Sequence, residues 1–470
     1  MMSSVHCRPP TPRAHAAATT ARSVYETLHR HTVGTAESRD WLQAQLATAA
    51  TLPSSLPASI DDLDDWMLAQ HETVGHAYAD YLTDRRQGAP RRYFSNRAHA
   101  LAFLRGVAPT KLVDGSWLYG LVKHWRNPRF SDLLHTYLEE LGEGRADRNH
   151  VLLYRQLLDA TGITHWQDQP DDRYVQGALQ LALAAHVEDL VPEVIGFNLG
   201  YEQLPLHLLI TAYELNELGI DPYYFTLHTT VDNADNGHAR RAVNAVREMV
   251  PLLGDAQAFW RRVRTGYALN DLGAGTLQVI EEFDAEAEVI ALLRRKATVG
   301  QVMHSDYCRI AGRRINDWLA DGQQMPQFLK ALEETGWIKR NAPPSESRFW
   351  RLLDGDHAEM FGVFSGSELQ LLQDWIRGES SRDGALVAAP GQRPAAPRSF
   401  RVQQRLRKAV PAPAADTLVL DPDAAVLAFK QNVGSGADEE QVLVELLAPA
   451  AHWTPAGLQA TRRFMDLLTA

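Results

Sequence analysis

The sequence predicts a mainly α-helical protein, and three features carry that prediction. Apolar residues recur three and four positions apart in block after block between residues 23 and 295, Gly and Pro separate the blocks, and no alternating run of strand quality competes with them. With 470 residues, 45% hydrophobic and 22% charged, the chain has a globular composition and enough apolar material for more than one domain.

The elements follow in order. Residues 1–22 are rich in Ala, Pro and Thr and read as a flexible tail. The stretch SIDDLDDWMLAQHETVGHAYADYLTDRR, from Ser59, opens on Ser and Asp, whose short side-chain oxygens accept from the free N–H groups of a first helical turn. RAHALAFLRGV, DGSWLYGLVKHW, FSDLLHTYLEEL, HVLLYRQLLDAT, VQGALQLALAAH, PEVIGFNLGYEQLPLHLLITAYELNEL, YYFTLHTTVDNADNGHARRAVNAVREMVPLL and DAQAFWRRVRTGYAL repeat the helical spacing, so residues 23–295 read as one helical domain. Residues 296–376 read as a small, mostly helical extension, with a turn and a short extended piece at GDHAEMFGVF. Residues 377–416, beginning RGESSRDGALVAAPGQRPAAP, have linker composition, and 417–470 close the chain as a C-terminal helical segment. No internal repeat of fixed period is present.

Charge and composition narrow the function. A net charge of −11 argues against a nucleic-acid partner, because binding phosphate needs clustered Lys and Arg. Two cysteines, Cys7 and Cys308, are too few for a disulfide framework or a thiolate metal site and fit a reducing compartment. The N-terminal stretch lacks the apolar core of a signal peptide, and no run of about 18 apolar residues occurs, so no membrane partner and a cytoplasmic location are expected.

The chemistry concentrates in HTTVDNADNGH, residues 228–238, with two histidines, two aspartates and two asparagines. On a regular helix His228, Asp232 and Asp235 share one face, which is half of a metal site. Imidazole and carboxylate without thiolate suit iron or manganese and are open to zinc. The alternative is structural: Asp232 and Asn233 satisfy backbone or solvent, and His228 packs in the core. A metal needs ligands from other helices, and two places upstream offer them. Glu140 precedes His150 by ten residues, with Gly142 and Gly144 between, and Glu202 stands in a strongly apolar segment where an unpaired carboxylate is costly.

This order of residues resembles the haem-oxygenase-like non-haem di-iron oxidases and oxygenases. The first piece is Glu140, Gly142, Gly144, Arg145 and His150, matching E-x-G-x-G-R-x4-H; the second is Tyr201-Glu202 after VIGFNLG; the third is Phe225, His228 and Asp232, in part matching H-x3-D-x2-H. The likeness covers roughly residues 100–253. It departs from the family at the last histidine, where Asp235 stands and a histidine follows only at His238. Either Asp235 completes the set, or His238 is brought round, since it lies roughly 80° from His228 on a regular helix. Gly237 weakens the helix just before His238, which favours His238 as ligand and Asp235 as the group orienting an imidazole.

What the resemblance implies is a haem-oxygenase-like helical bundle holding two Fe(II) ions per chain on Glu140, His150, Glu202, His228, Asp232 and either His238 or Asp235, with dioxygen as co-substrate. It implies a small organic substrate such as an amino acid, an amine or a fatty-acid-like molecule, outcomes including N-oxygenation and oxidative C–C cleavage in specialised metabolism, and a third core helix ordered by iron. Some N-oxygenating members add a carboxylate ahead of the first Glu, where Asp114 stands; Asp114 reads first as a helix N-cap. A small-molecule substrate, a second copy in a homodimer and a redox partner supplying electrons are the expected partners. The other class of reading is a non-catalytic helical binding or scaffold protein that keeps the fold, with Asp235 as its mark.

Other clusters fall away. A ferritin-like site wants Glu-x-x-His on each of two helices, and only Glu26 and His29 provide one. Glu72, His76 and Asp80 read as a solvated helix face. His304, Asp306, Tyr307, Cys308 and His357 match no known pattern, and Trp318, Trp337, Trp350 and Trp375 read as core or as an oligomer contact.

Overall fold

A computed structural model describes residues 19–231, 237–252, 254–301, 303–354, 358–360, 362–378 and 439–469. Asp232, Asp235, His357, most of the expected tail at 1–22 and nearly all of the linker at 377–416 lie outside these residues. Apart from one two-residue hairpin, the regular structure described is helical.

The helices in chain order begin with α1 (Ala21–His31), α2 (Ala36–Ala49), α3 (Leu63–Arg86), α4 (Arg97–Lys111), α5 (Ser131–Glu140), α6 (His150–Thr161) and α7 (Val175–Ala185). Then come α8 (Val187–Tyr201), α9 (Leu206–Glu217), α10 (Tyr223–Val231), α11 (His238–Met249), α12 (Ala256–Ala268), α13 (Thr276–Glu281) and α14 (Ala285–Gly300). Short helices α15 (Ile315–Leu319), α16 (Met325–Glu334), α17 (Arg348–Leu353) and α18 (Gly366–Arg377) precede the C-terminal pair α19 (Glu439–Leu446) and α20 (Pro455–Thr469). Caps set several starts: Thr20 and Thr35 form capping boxes with Ser23 and Ser38, and Asn96 and Asn149 accept from backbone N–H groups in the first turns of α4 and α6.

Three apolar cores hold these helices together. The first gathers α1, α2, α5, α7, α8, α11, α12 and the 3-10 segment Ser116–His124, and takes in Leu443, Leu447, Ala460 and Phe464 of the C-terminal segment. Fully burying a Leu or Phe contributes about 2 kcal/mol, so these side chains fasten α19 and α20 to the bundle. Tyr137 Oη donates to Leu447 O at 2.5 Å and Trp125 Nε1 to Glu440 Oε1 at 2.8 Å, adding polar ties. The second core joins α4, α6, α9, α10 and α13. The third joins α14 to α16, α17 and α18 and contains Trp350 and Trp375, with Trp318 and Trp337 packed against it, so all four tryptophans serve this core.

The chain departs from the sequence reading in three places. Residues 192–218 form two helices: α8 ends at Tyr201 and α9 starts at Leu206, after Pro205, which has no N–H to donate. Residues 223–253 also break, because Gly237 is extended (φ −85°, ψ −165°) and α11 begins afresh at His238. An antiparallel hairpin pairs Arg309–Ile310 with Arg313–Arg314 around Ala311 and Gly312, both at positive φ. No described helix is long and apolar enough to cross a membrane.

Candidate metal centre

The site is built where helix ends from the first two cores meet. Glu140 is the last residue of α5 and is buried. The chain then reverses through Gly142, Glu143 and Gly144, all at positive φ. A Cβ on Gly142 would lie 2.4 Å from Asn149 N, and one on Gly144 2.4 Å from Leu458 O, so both positions require glycine. The reversal ends at Asn149, which caps α6, and the first residue of α6 is His150. The spacing Glu140-x-Gly-x-Gly…His150 is thus the length of a tight return that brings a carboxylate and an imidazole face to face, and their side chains form an ion-pair contact.

The break in each later helix pair supplies another ligand-type side chain. Glu202 follows the last turn of α8. His228, on α10, has Nδ1 2.8 Å from Tyr224 O, so that nitrogen donates and Nε2 faces Asp114 Oδ2 at 3.2 Å. The His150 and His228 rings are 4.4 Å apart. His238, at the start of α11, places Nδ1 3.0 Å from Glu202 Oε2 and 3.5 Å from Glu140 Oε1. Its Nε2 meets Glu139 Oε2 at 2.8 Å, and Glu139 Oε1 accepts from Arg241.

Two groups of ligand atoms result. Asp114, Glu140, His150 and His228 form one, and Glu140, Glu202 and His238 the other; within each group the atoms lie within 4.8 Å of one another, and all six residues are buried. Glu140 belongs to both. Asp114 Oδ1 is buried without a hydrogen bond, and Glu140 Oε2 and His150 Nδ1 meet only each other, an arrangement of buried polar atoms that a cation among them would satisfy. Burial pushes the Asp114 and Glu140 carboxyls up, but the charge of Lys111 with His228 on Asp114, and that of His150 on Glu140, hold both below their ordinary values. Ionised carboxylates and imidazoles with a fixed tautomer are a hard, borderline-soft donor set that suits iron.

A cavity of about 420 Å³ opens onto these groups, lined by Asp114, Glu140, Glu202 and His228 and by apolar side chains including Phe103, Leu208 and Phe225. Five of the sequence-derived residues therefore come together: Glu140, His150, Glu202, His228 and His238. Asp232 and Asp235 lie outside the described residues. Asp114 is a correction: the cap position of the following 3-10 segment is Gly115, Asp114 makes no cap bond there, and its carboxylate instead accepts from Tyr224 Oη and faces His228. Glu139 and Tyr224 went unnoticed in the sequence; the only signal for Glu139 was its place in the pair Glu139-Glu140. Glu72, His76 and Asp80 are exposed on α3, as expected of a solvated face. Among the described residues, His304, Asp306 and Cys308 join no group of metal-ligating side chains.

Residues 101–271 match the model of a family described as iron-containing redox enzyme. The matched span contains all of the clustered residues, and the match supports oxidoreductase activity based on iron. No curated protein and no solved structure matches the chain.

Proposed function

With residues 101–271 matching iron-containing redox enzymes as the premise, we propose that the protein is a non-haem di-iron oxidase or oxygenase that uses dioxygen to oxidise a small organic molecule. The observation that carries this reading is the sharing of Glu140 by two ligand groups, since one carboxylate with two oxygens is suited to bridging two ions. Asp114, His150 and His228 would hold one ion, Glu202 and His238 the other, and Asp232 or Asp235 remains a further donor for either. Two ferrous ions would supply the electrons and the oxygen activation that no side chain here offers.

The chain's own residues do the rest. Tyr224 O fixes the tautomer of His228, and Glu139, itself held by Arg241, orients His238. The apolar part of the cavity wall, including Phe103, Leu208 and Phe225, gives the hydrocarbon part of a substrate a surface to pack against beside the ligand groups. N-oxygenation and oxidative C–C cleavage are both within the reach of such a centre. His228→Ala tests the reading: it should lose iron binding and oxygen-dependent turnover together. Unchanged iron stoichiometry in that variant would refute it and leave a helical binding protein.

A further inference from the structure

Glu140, shared by both ligand groups, and His150 stand at the two ends of one tight return, so their separation is only as well fixed as that return. The return is gripped from outside by residues of the C-terminal segment, which lies beyond the matched span 101–271. Tyr137, one turn before Glu140 on α5, donates to Leu447 O. The backbone of α20 closes over the return itself, where a Cβ on Gly144 would lie 2.4 Å from Leu458 O and 3.0 Å from Arg462 N. The turn between α19 and α20 then reaches α6: His452 contacts Asn149 at its start, and the Arg155 guanidinium lies over the Trp453 ring, 3.9 Å from its centre.

Of these contacts, the one between Asn149 and His452 bears most directly on a ligand. Both residues are buried, and Asn149 immediately precedes His150. Asn149 Oδ1 accepts from Leu152 N at 3.0 Å as the cap of α6, which fixes the orientation of the amide. Its Nδ2 then has two hydrogens to place. One goes to Leu141 O at 3.1 Å and the other to His452 Nδ1 at 3.1 Å, with His452 O farther off at 3.4 Å. Asn149 thus ties the residue after Glu140 to the residue before His150, and His452 completes its bonding. With no acceptor at 452, a buried hydrogen is left unpaired, and turning the amide to find another partner releases Leu141 and Leu152 together.

We propose that His452 is a positioning residue of the metal centre: acting through Asn149, it holds Glu140 and His150 at the separation that binds an ion. The C-terminal segment is then a working part of the site and not only an added layer of core. This rests on the proposed function for the presence of ions at these residues, but not on their reaction with dioxygen.

Cobalt(II) is the probe, because its visible absorption reports ligand geometry and its binding needs no redox step. In titrations of the full chain, His452→Leu should bind cobalt(II) about tenfold more weakly than the wild type, with a shifted visible band, the size of effect typical of partners behind a metal ligand. His452→Asn, which offers Oδ1 where Nδ1 stood, should recover most of the affinity and the band. Phe464→Leu loosens the same segment from Trp125 and the core without touching Asn149, so it should lower the melting temperature and leave cobalt(II) binding unchanged. If His452→Leu does not fold, Asn149→Ser, which keeps a capping oxygen and drops the Nδ2 donor, takes its place with the same expectation. The ferrous protein is exposed to dioxygen in parallel. Cobalt(II) binding that depends on His452, in a protein whose ferrous form does not react with dioxygen, supports the proposal and removes the di-iron oxidase reading. The proposal is overturned if the wild type binds no cobalt(II), if His452→Leu, folded by circular dichroism, keeps the wild-type affinity and band, if His452→Asn recovers nothing, or if Phe464→Leu weakens binding as much.

Discussion

Replacing Glu139 by Gln should weaken metal binding without weakening the fold. Glu139 lies just outside the ligand groups and meets His238 Nε2 at 2.8 Å, leaving Nδ1 turned toward Glu202 and Glu140. Burial pushes the Glu139 carboxyl up, but the hydrogen bonds from His238 and Arg241 bring it down to about 2, so it is ionised at any working pH. A carboxylate behind a ligating imidazole typically improves metal affinity about tenfold to a hundredfold, or about 1.4 to 2.7 kcal/mol. Its share in folding is smaller, because the side chain is 30% exposed and a pair of that kind contributes about 1 kcal/mol or less. Anaerobic titration with ferrous iron, paired with thermal unfolding of the metal-free protein, separates the two. The reasoning is refuted if iron affinity is unchanged, or if it falls only in step with a matching loss of thermal stability.

Other perturbations test other links. At the crossing of α8 and α12, a Cβ on Gly196 would lie 1.9 Å from Val263 O and one on Gly266 2.0 Å from Glu193 O. Gly196→Ala should therefore destabilise by about 1–3 kcal/mol, outweighing the gain of about 1 kcal/mol in helix propensity. Gly75→Ala on α3, where nothing lies within 4 Å, should stabilise by about 0.5–1 kcal/mol, and unfolding curves of the two variants give the contrast. Burial, then the charge of Arg155, lowers the His452 pKa from 6.5 to about 3, while its Nδ1 accepts from Asn149 Nδ2 at 3.1 Å. Because the unfolded chain takes up that proton first, the stability His452 lends is present above pH 6.5 and is lost as pH falls toward 3. His452→Gln should flatten the dependence of urea unfolding on pH in that window. Asp114→Asn should lower bound iron from about two toward one per chain by removing a carboxylate from one group only; a full complement of iron would assign Asp114 a purely structural place.

Much of this was legible in the sequence because the determinants are local. Helical spacing, caps at Asn96 and Asn149, and glycines at 142 and 144 act over a few residues, and they fix α4, the return between α5 and α6 and the position of His150. Gly237 marks in the sequence where the helix weakens, and the structure starts a new helix there, not a bulge, with His238 beside Glu202. What escaped depends on distant packing. Asp114 looks like a cap in its own heptapeptide, and only α10, 110 residues on, supplies the Tyr224 hydroxyl that claims it. Glu139 is one more acid on a helix until α11 brings His238 against it. Leu443, Leu447 and Phe464 share a core with α5 and α8 across a long intervening stretch that no local pattern connects.

The central claim is that two ligand groups sharing Glu140 hold two irons. Anaerobic addition of ferrous iron to the metal-free protein, with bound iron counted per chain and the visible spectrum followed after exposure to dioxygen, tests it most directly. The account predicts about two irons and an oxygen-dependent visible band that is absent in Glu140→Ala. One iron or none at saturation, with no spectral change on exposure to dioxygen, would contradict it.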